Sequence, residues 1–181
     1  MMTLCLLLTA CGGTGGEAGD AADARMPYRN MAGCVMEAEV SCTQDGAAWE
    51  ATLRCDYVPE GETTVEVLAP ETIAGITAHV KDSAADVSFD DTQLGLGSLA
   101  NGRLAPLAAP YVLGQSWAGA YIDSTGTEDG LLRATYRLGY DKQELVVDTW
   151  FTEEPFTPQY AEISADGRMV LSIRISNFAM Q

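Results

Sequence analysis

The sequence predicts an α+β fold: one strongly curved antiparallel sheet with a short helix in its concave face. Three observations predict it. Residues 33–57 alternate apolar and polar side chains on both sides of Asp45-Gly46. The same period of two returns in segments spread over the rest of the chain. Between the two groups of strand-like sequence lies residues 104–122, LAPLAAPYVLGQSWAGAYI, which carries no charged side chain. A period of two marks a strand with one buried face, and an uncharged stretch at helical spacing marks a helix surrounded by protein.

In chain order, residues 3–10 form a short apolar run that ends in Leu8-Thr9-Ala10-Cys11 and is followed by Gly12-Gly13. This resembles the lipobox of bacterial lipoproteins. The resemblance implies cleavage of residues 1–10 as a signal peptide and a diacylglycerol thioether on Cys11, the new N-terminus. The run is shorter than a usual export signal and no Lys or Arg precedes it. Acyl chains would hold the protein on the extracytoplasmic side of a membrane, each buried methylene contributing about 0.8 kcal/mol. Residues 12–25, GGTGGEAGDAADAR, contain no bulky apolar residue and read, with Cys11, as a flexible tether reaching roughly 20 Å. The folded domain is then residues 26–181, opening with a turn over residues 26–31 that seats Tyr28 on the body.

The hairpin over residues 33–57 puts Cys34, Met36, Ala38, Val40 and Cys42 on one face of its first strand. Trp49, Ala51, Leu53 and Cys55 share that face on the second. Asp45-Gly46 is the turn. With a two-residue loop, Cys55 lies opposite Met36, and Cys34 is only a diagonal neighbour about 7 Å away. A disulfide needs Cβ atoms about 4 Å apart, which a four-residue loop would allow for Cys34 and Cys55. The short loop has the stronger turn chemistry and favours free, buried thiols.

Pro59-Glu60-Gly61 turns the chain into a strand over residues 63–69. One helical turn ended by Gly75 follows, then short strands over residues 76–80 and 86–90. In the uncharged segment Pro106 and Pro110 open a helix, with Leu107, Tyr111, Gly114, Ala118 and Tyr121 on one face and Leu113 and Trp117 beside it. Two prolines, two glycines, Gln115 and Ser116 make it a poor membrane span. Residues 123–130, DSTGTEDG, read as an acidic surface loop. Strands over residues 132–138, 145–151, 159–165 and 168–178 complete a sheet of about nine. The last carries apolar residues on both faces, Met169, Leu171, Ile173 and Ile175 against Val170 and Phe178, which marks a central strand.

The lipobox, the glycine-rich tether and the amphipathic first hairpin together resemble small bacterial lipoproteins of the LolA-like superfamily. So do residues 69–76 (APETIAGI), the proline-marked helix, and a closing Ala161-Glu162-Ile163, Asp166-Gly167 and Asn177-Phe178. The resemblance spans about residues 26–180. It implies an incomplete β-barrel lined with apolar side chains and lidded by helices, in a family whose best-known members carry or sense the acyl chains of lipoproteins. A tethered protein departs from the soluble carrier, because it cannot shuttle.

Composition narrows the partners. Lys+Arg number 10 against 26 Asp+Glu, a net charge of −16, which repels nucleic acid and anionic headgroups. His79 is the single histidine and is expected on a surface strand, so no nucleophilic catalytic arrangement is expected. Asp90-Asp91, and Asp123 with Glu128-Asp129, lack calcium-loop spacing; Glu153-Glu154 sit in an exposed turn; Gly95-Leu96-Gly97 precede no phosphate loop. No metal or cofactor is expected. The functional expectation is a hydrophobic-ligand module for acyl chains or lipid, with Leu107, Tyr111, Leu113, Trp117 and Tyr121 lining its cavity. The alternative is a surface lipoprotein without a cavity, those side chains being core, that binds a partner protein or a wall polymer.

Overall fold

A computed structural model of the chain describes residues 25–44, 47–84, 87–89 and 99–181. The expected signal peptide, Cys11, the expected tether before residue 25, Asp45-Gly46, Asp90-Asp91 and Gly95-Leu96-Gly97 lie outside them.

Among the described residues ten antiparallel strands make one open sheet. They are β1 (Cys34–Gln44), β2 (Ala47–Tyr57), β3 (Thr63–Ala69), β4 (Thr77–Val80), β5 (Val87–Phe89), β6 (Tyr121–Glu128), β7 (Leu131–Leu138), β8 (Leu145–Phe151), β9 (Pro158–Ala165) and β10 (Arg168–Met180). Their order is β5-β4-β3-β2-β1-β10-β9-β8-β7-β6, two five-stranded meanders joined where β1 pairs with β10. β10 is thus interior to the sheet, but it is not covered on both faces as expected: Leu171, Ile173 and Ile175 fill the buried face, Arg174 and Ser176 on the other are exposed, and Phe178 packs against the same core as Tyr28. Met169, expected beside Leu171, is an exception: a register shift between Met169 and Leu171 breaks the alternation there, and Met169 is exposed.

This topology explains the uncharged segment. β5 and β6 are opposite edges of the sheet, so the chain between them has to cross from one meander to the other. It does so as a 3-10 turn, Pro106–Ala108, that runs into an α-helix, Ala109–Gly119, packed on β1, β2 and β7. Pro106 and Pro110 stand at the starts of the two pieces, where a missing N–H leaves no helical bond unmade. A helix packed into the sheet has little solvent face for a charge, which is why it carries none and why its polar Ser116 is bonded to Val112 O within the helix.

The helix is shorter than residues 104–122. Leu104 forms a bridge with Leu99, the helix ends at Gly119, and Tyr121 is the first residue of β6. The expected acidic loop is β6 itself, the tenth strand. An edge strand paired only to β7 keeps both faces partly wet, so its side chains need not alternate, and the period-of-two signal is lost. Residues 70–75 form a hydrogen-bonded turn and not a helix, closed by Ile73 N–H to Pro70 O at 3.1 Å and Gly75 N–H to Val67 O at 2.8 Å.

In the first hairpin Gln44 faces Ala47 and Cys55 faces Met36, the register of a two-residue loop. Cys34, Cys42 and Cys55 are free thiols. Under the helix the core is aromatic. Residues 25–29 form a helical turn that drives Tyr28 into it, its ring 5.6 Å from Trp117, 5.7 Å from Phe151 and 6.0 Å from Phe178. The Trp117 indole N–H donates to Thr149 Oγ1 at 3.1 Å, so the polar edge of the largest core side chain is satisfied. Outside the core, the Arg103 guanidinium donates to the carbonyls of Ala100 (2.6 Å), Lys142 (2.9 Å) and Glu144 (3.1 Å) and to Asp166, tying the approach to the helix onto two turns of the second meander.

Candidate functional site

The helix has to stop before β6 begins, and what surrounds its last turn forms an open groove. Tyr57, the last residue of β2, lies against Gly114 so closely that a Cβ there would come 2.6 Å from its ring. Only glycine admits this approach. The Tyr57 hydroxyl accepts from Gln115 Nε2 at 3.4 Å, and burial pushes its pKa well above the ordinary tyrosine value. Arg25 donates to the carbonyl of Ala120, the residue capping the helix, and its guanidinium lies 5.9 Å from the Tyr136 ring centroid. A cation there meets the unpaired carbonyls and the negative end of the helix.

On the other side, Gly139 takes φ +85°, and a side chain there would collide with the Gln143 carbonyl. This permits the tight 3-10 turn, Asp141–Gln143, between Tyr140 and Glu144. Arg137 of β7 reaches Asp123 at 3.0 Å and Glu144 at 2.7 Å. The Arg137 guanidinium in turn lowers the pKa of the Asp123 carboxyl, and the two carboxylates raise that of Arg137.

These pieces enclose a groove of about 640 Å³. Its floor is Tyr57, Ala118, Gly119 and Leu138; its rim carries Arg29, Glu60, Tyr121, Arg137, Tyr140 and Glu144. Tyr121 is 68% exposed and Tyr140 88%, so both rings are free to cover something lying between them. Among the described residues neither Arg29 nor Glu60 forms an ion pair, whereas Arg137 is shared between the Glu144 and Asp123 carboxylates. A groove with an apolar floor and a rim of both charges suits an amphiphile better than a wholly apolar molecule.

The five residues expected to line a cavity divide. Leu107, Leu113 and Trp117 have no accessible surface, and Tyr111 keeps 7%. A side chain facing a void that admits water would retain some surface, so the first three are packed interior. Tyr121, displaced from the helix into β6, lines the groove. Cys34 and Cys55 are buried on the concave face. His79 stands on β4 with Nδ1 3.1 Å from Glu62 Oε1. Glu128 accepts from the Trp150 indole N–H at 3.1 Å and lies 3.6 Å from Arg133, and Glu153 and Glu154 are exposed. Among the described residues no three His, Cys, Asp or Glu side chains are placed to hold a metal ion, and no helix is long and apolar enough to cross a membrane.

Tyr57, Glu60, Arg137, Tyr140 and Glu144 were not singled out in the sequence as site residues. Tyr57 is the next inward position after Cys55 in the alternation of β2, the one available signal. The others meet only because three distant segments converge at the end of the helix.

No protein-family model and no curated protein matches the chain. Solved structures do resemble it. A LolA superfamily protein from Nitrosomonas europaea aligns over 91% of this chain and 94% of its own, with TM-score 0.42 and 12% identity. LprF from Mycobacterium bovis aligns over 91% and 95%, with TM-score 0.38 and 12% identity. A putative outer membrane lipoprotein-sorting protein domain from Vibrio parahaemolyticus aligns over 90% and 91%, with TM-score 0.41 and 10% identity.

Proposed function

We propose that the protein is an extracytoplasmic, lipid-anchored module that binds an amphiphilic ligand, holding its chain on the floor of the groove at the C-terminal end of the helix. The observation that carries this reading is the groove itself. About 640 Å³ lies within the range of small-molecule sites, and apolar floor and charged rim are already in place without a ligand. The anchor rests on Leu8-Thr9-Ala10-Cys11. It fits the groove in one respect: Arg25, where the tether meets the body, is bonded to Ala120, which itself lines the groove. A ligand passing between bilayer and groove would therefore have a short path.

One observation favours a second reading, in which the protein binds a partner and no ligand: the helix fills the concave face, leaving Leu113 and Trp117 without accessible surface. Native mass spectrometry of the full chain carrying Cys11→Ser, purified without detergent, separates the two. A co-purified lipid adduct that Tyr121→Ala diminishes is the outcome expected for a ligand module. A bare mass with no adduct after incubation with lipid extract would leave the partner-binding reading.

A further inference from the structure

The groove offers two charges of opposite sign that the fold does not use. Arg29 and Glu60 both line it, both are exposed, and among the described residues neither has an ionic partner. The other pair on the rim is closed: Arg137 binds Glu144 at 2.7 Å and Asp123 at 3.0 Å. Arg25 faces the Ala120 carbonyl and the Tyr136 ring. A purely anionic head would find one free cation and be opposed by Glu60, by the acidic neighbours of Arg137 and by a chain of net charge −16. A purely cationic head would be opposed by Arg29. Tyr121 and Tyr140 add exposed aromatic faces, which attract ammonium groups and not anions.

We propose that the groove recognises a zwitterionic head, with a phosphate-type anion at Arg29 and an ammonium group between Glu60 and the tyrosine faces. This rests on the amphiphile reading above and names the head chemistry of that ligand. The shared chemistry could reach the protein as a lipid headgroup or as a free phosphate-ammonium compound. The apolar floor formed by Ala118 and Leu138 favours the lipid.

Isothermal titration of the full chain carrying Cys11→Ser tests it. The probes, all below their micelle concentrations, are dodecylphosphocholine, dodecyltrimethylammonium, dodecyl phosphate and free phosphocholine. One exposed charge contact is worth about threefold and the aromatic contact about as much again, so dodecylphosphocholine is expected to bind about threefold tighter than dodecyltrimethylammonium, which lacks the Arg29 contact, and about tenfold tighter than dodecyl phosphate, which lacks the Glu60 and aromatic contacts. Arg29→Gln should lower its affinity about threefold, to that of dodecyltrimethylammonium, and Glu60→Gln should lower it about threefold while leaving it above dodecyl phosphate, because the aromatic contact with the ammonium remains. Both side chains are exposed, so both variants should keep the parent circular dichroism. Free phosphocholine binding as tightly as the dodecyl compound would retain the charge assignment and identify the source as soluble. Equal affinity for the three dodecyl compounds, or a singly charged chain binding tightest, would overturn the zwitterion assignment while leaving the groove as a ligand site. No binding of any dodecyl probe would overturn both.

Discussion

Replacing Gly114 by alanine tests whether the helix is held against Tyr57. In an ordinary helix interior this change stabilises by up to about 1 kcal/mol, because alanine loses less backbone entropy than glycine. Here the new methyl would come 2.6, 2.6 and 2.7 Å from three ring carbons of Tyr57, well inside van der Waals contact. The ring cannot swing away freely: Tyr57 is buried and packs edge-on against Tyr111 with centroids 6.3 Å apart. Overpacking of this kind costs about 1–3 kcal/mol, so the clash should outweigh the propensity gain. The expected result is a net destabilisation of about 0.5–2 kcal/mol, read as a fall in the urea midpoint with unchanged slope. The double variant Gly114→Ala with Tyr57→Leu should recover about 1 kcal/mol relative to the sum of the singles, since the smaller side chain leaves room for the methyl. A Gly114→Ala variant more stable than the parent would refute the close approach.

Trp117→Phe should destabilise by about 2 kcal/mol or more in the same assay, because it strands the buried Thr149 hydroxyl and leaves a void among Tyr28, Phe151 and Phe178. Arg103→Met removes the donor shared by three backbone carbonyls and should cost about 2 kcal/mol; an unchanged midpoint would count against that staple. Burial pushes the Cys34 thiol from 9.0 up to about 12, and it raises Cys55 in the same direction. A raised folded value favours the neutral thiol in the folded state, so this stabilisation is complete below pH 9 and is lost progressively as pH rises from 9 toward 12. Stability should therefore fall across that window, less steeply in Cys34→Ala, and the Cys34 and Cys55 thiols should resist a disulfide reagent at pH 8 until the chain unfolds. Cys11→Ser should release the protein from the membrane fraction; full retention would exclude the thioether as its anchor.

Much of the sheet was legible because its strands have one dry face and one wet face. The first hairpin shows this best: alternation from Cys34 to Cys55 fixed which side chains face inward, and of the two registers it allowed, the Asp45-Gly46 turn chemistry favoured the one observed, Met36 opposite Cys55. Strand β6 was not legible, since an edge strand with Asp123, Ser124, Thr127 and Glu128 has no dry face to impose a period. The uncharged segment revealed that something encloses it, and the strand order shows why: it bridges opposite edges of the sheet. Its end was misplaced because Tyr121 continues the helical spacing of Ala118, although Gly119 and an extended Ala120 have already ended the helix. Leu107, Leu113 and Trp117 looked equally suited to core and cavity, since both demand apolar side chains. Which one holds depends on whether neighbours fill the remaining space, and Tyr28, Phe151 and Phe178 do so from far along the chain. The groove was hidden for a related reason: Glu60, Tyr121 and Glu144 share no sequence motif.

The helix fills the concave sheet, so the ligand proposed above would lie beyond the helix C-terminus. Amide chemical-shift mapping of the Cys11→Ser chain, titrated with dodecylphosphocholine below its micelle concentration, measures this most directly. Saturable shifts are expected at residues 118–121, residues 138–140 and Glu60, with Leu113 and Val147 unmoved. Shifts centred on Leu113, Trp117 and Val147, with the groove silent, would place the ligand under the helix and contradict this placement.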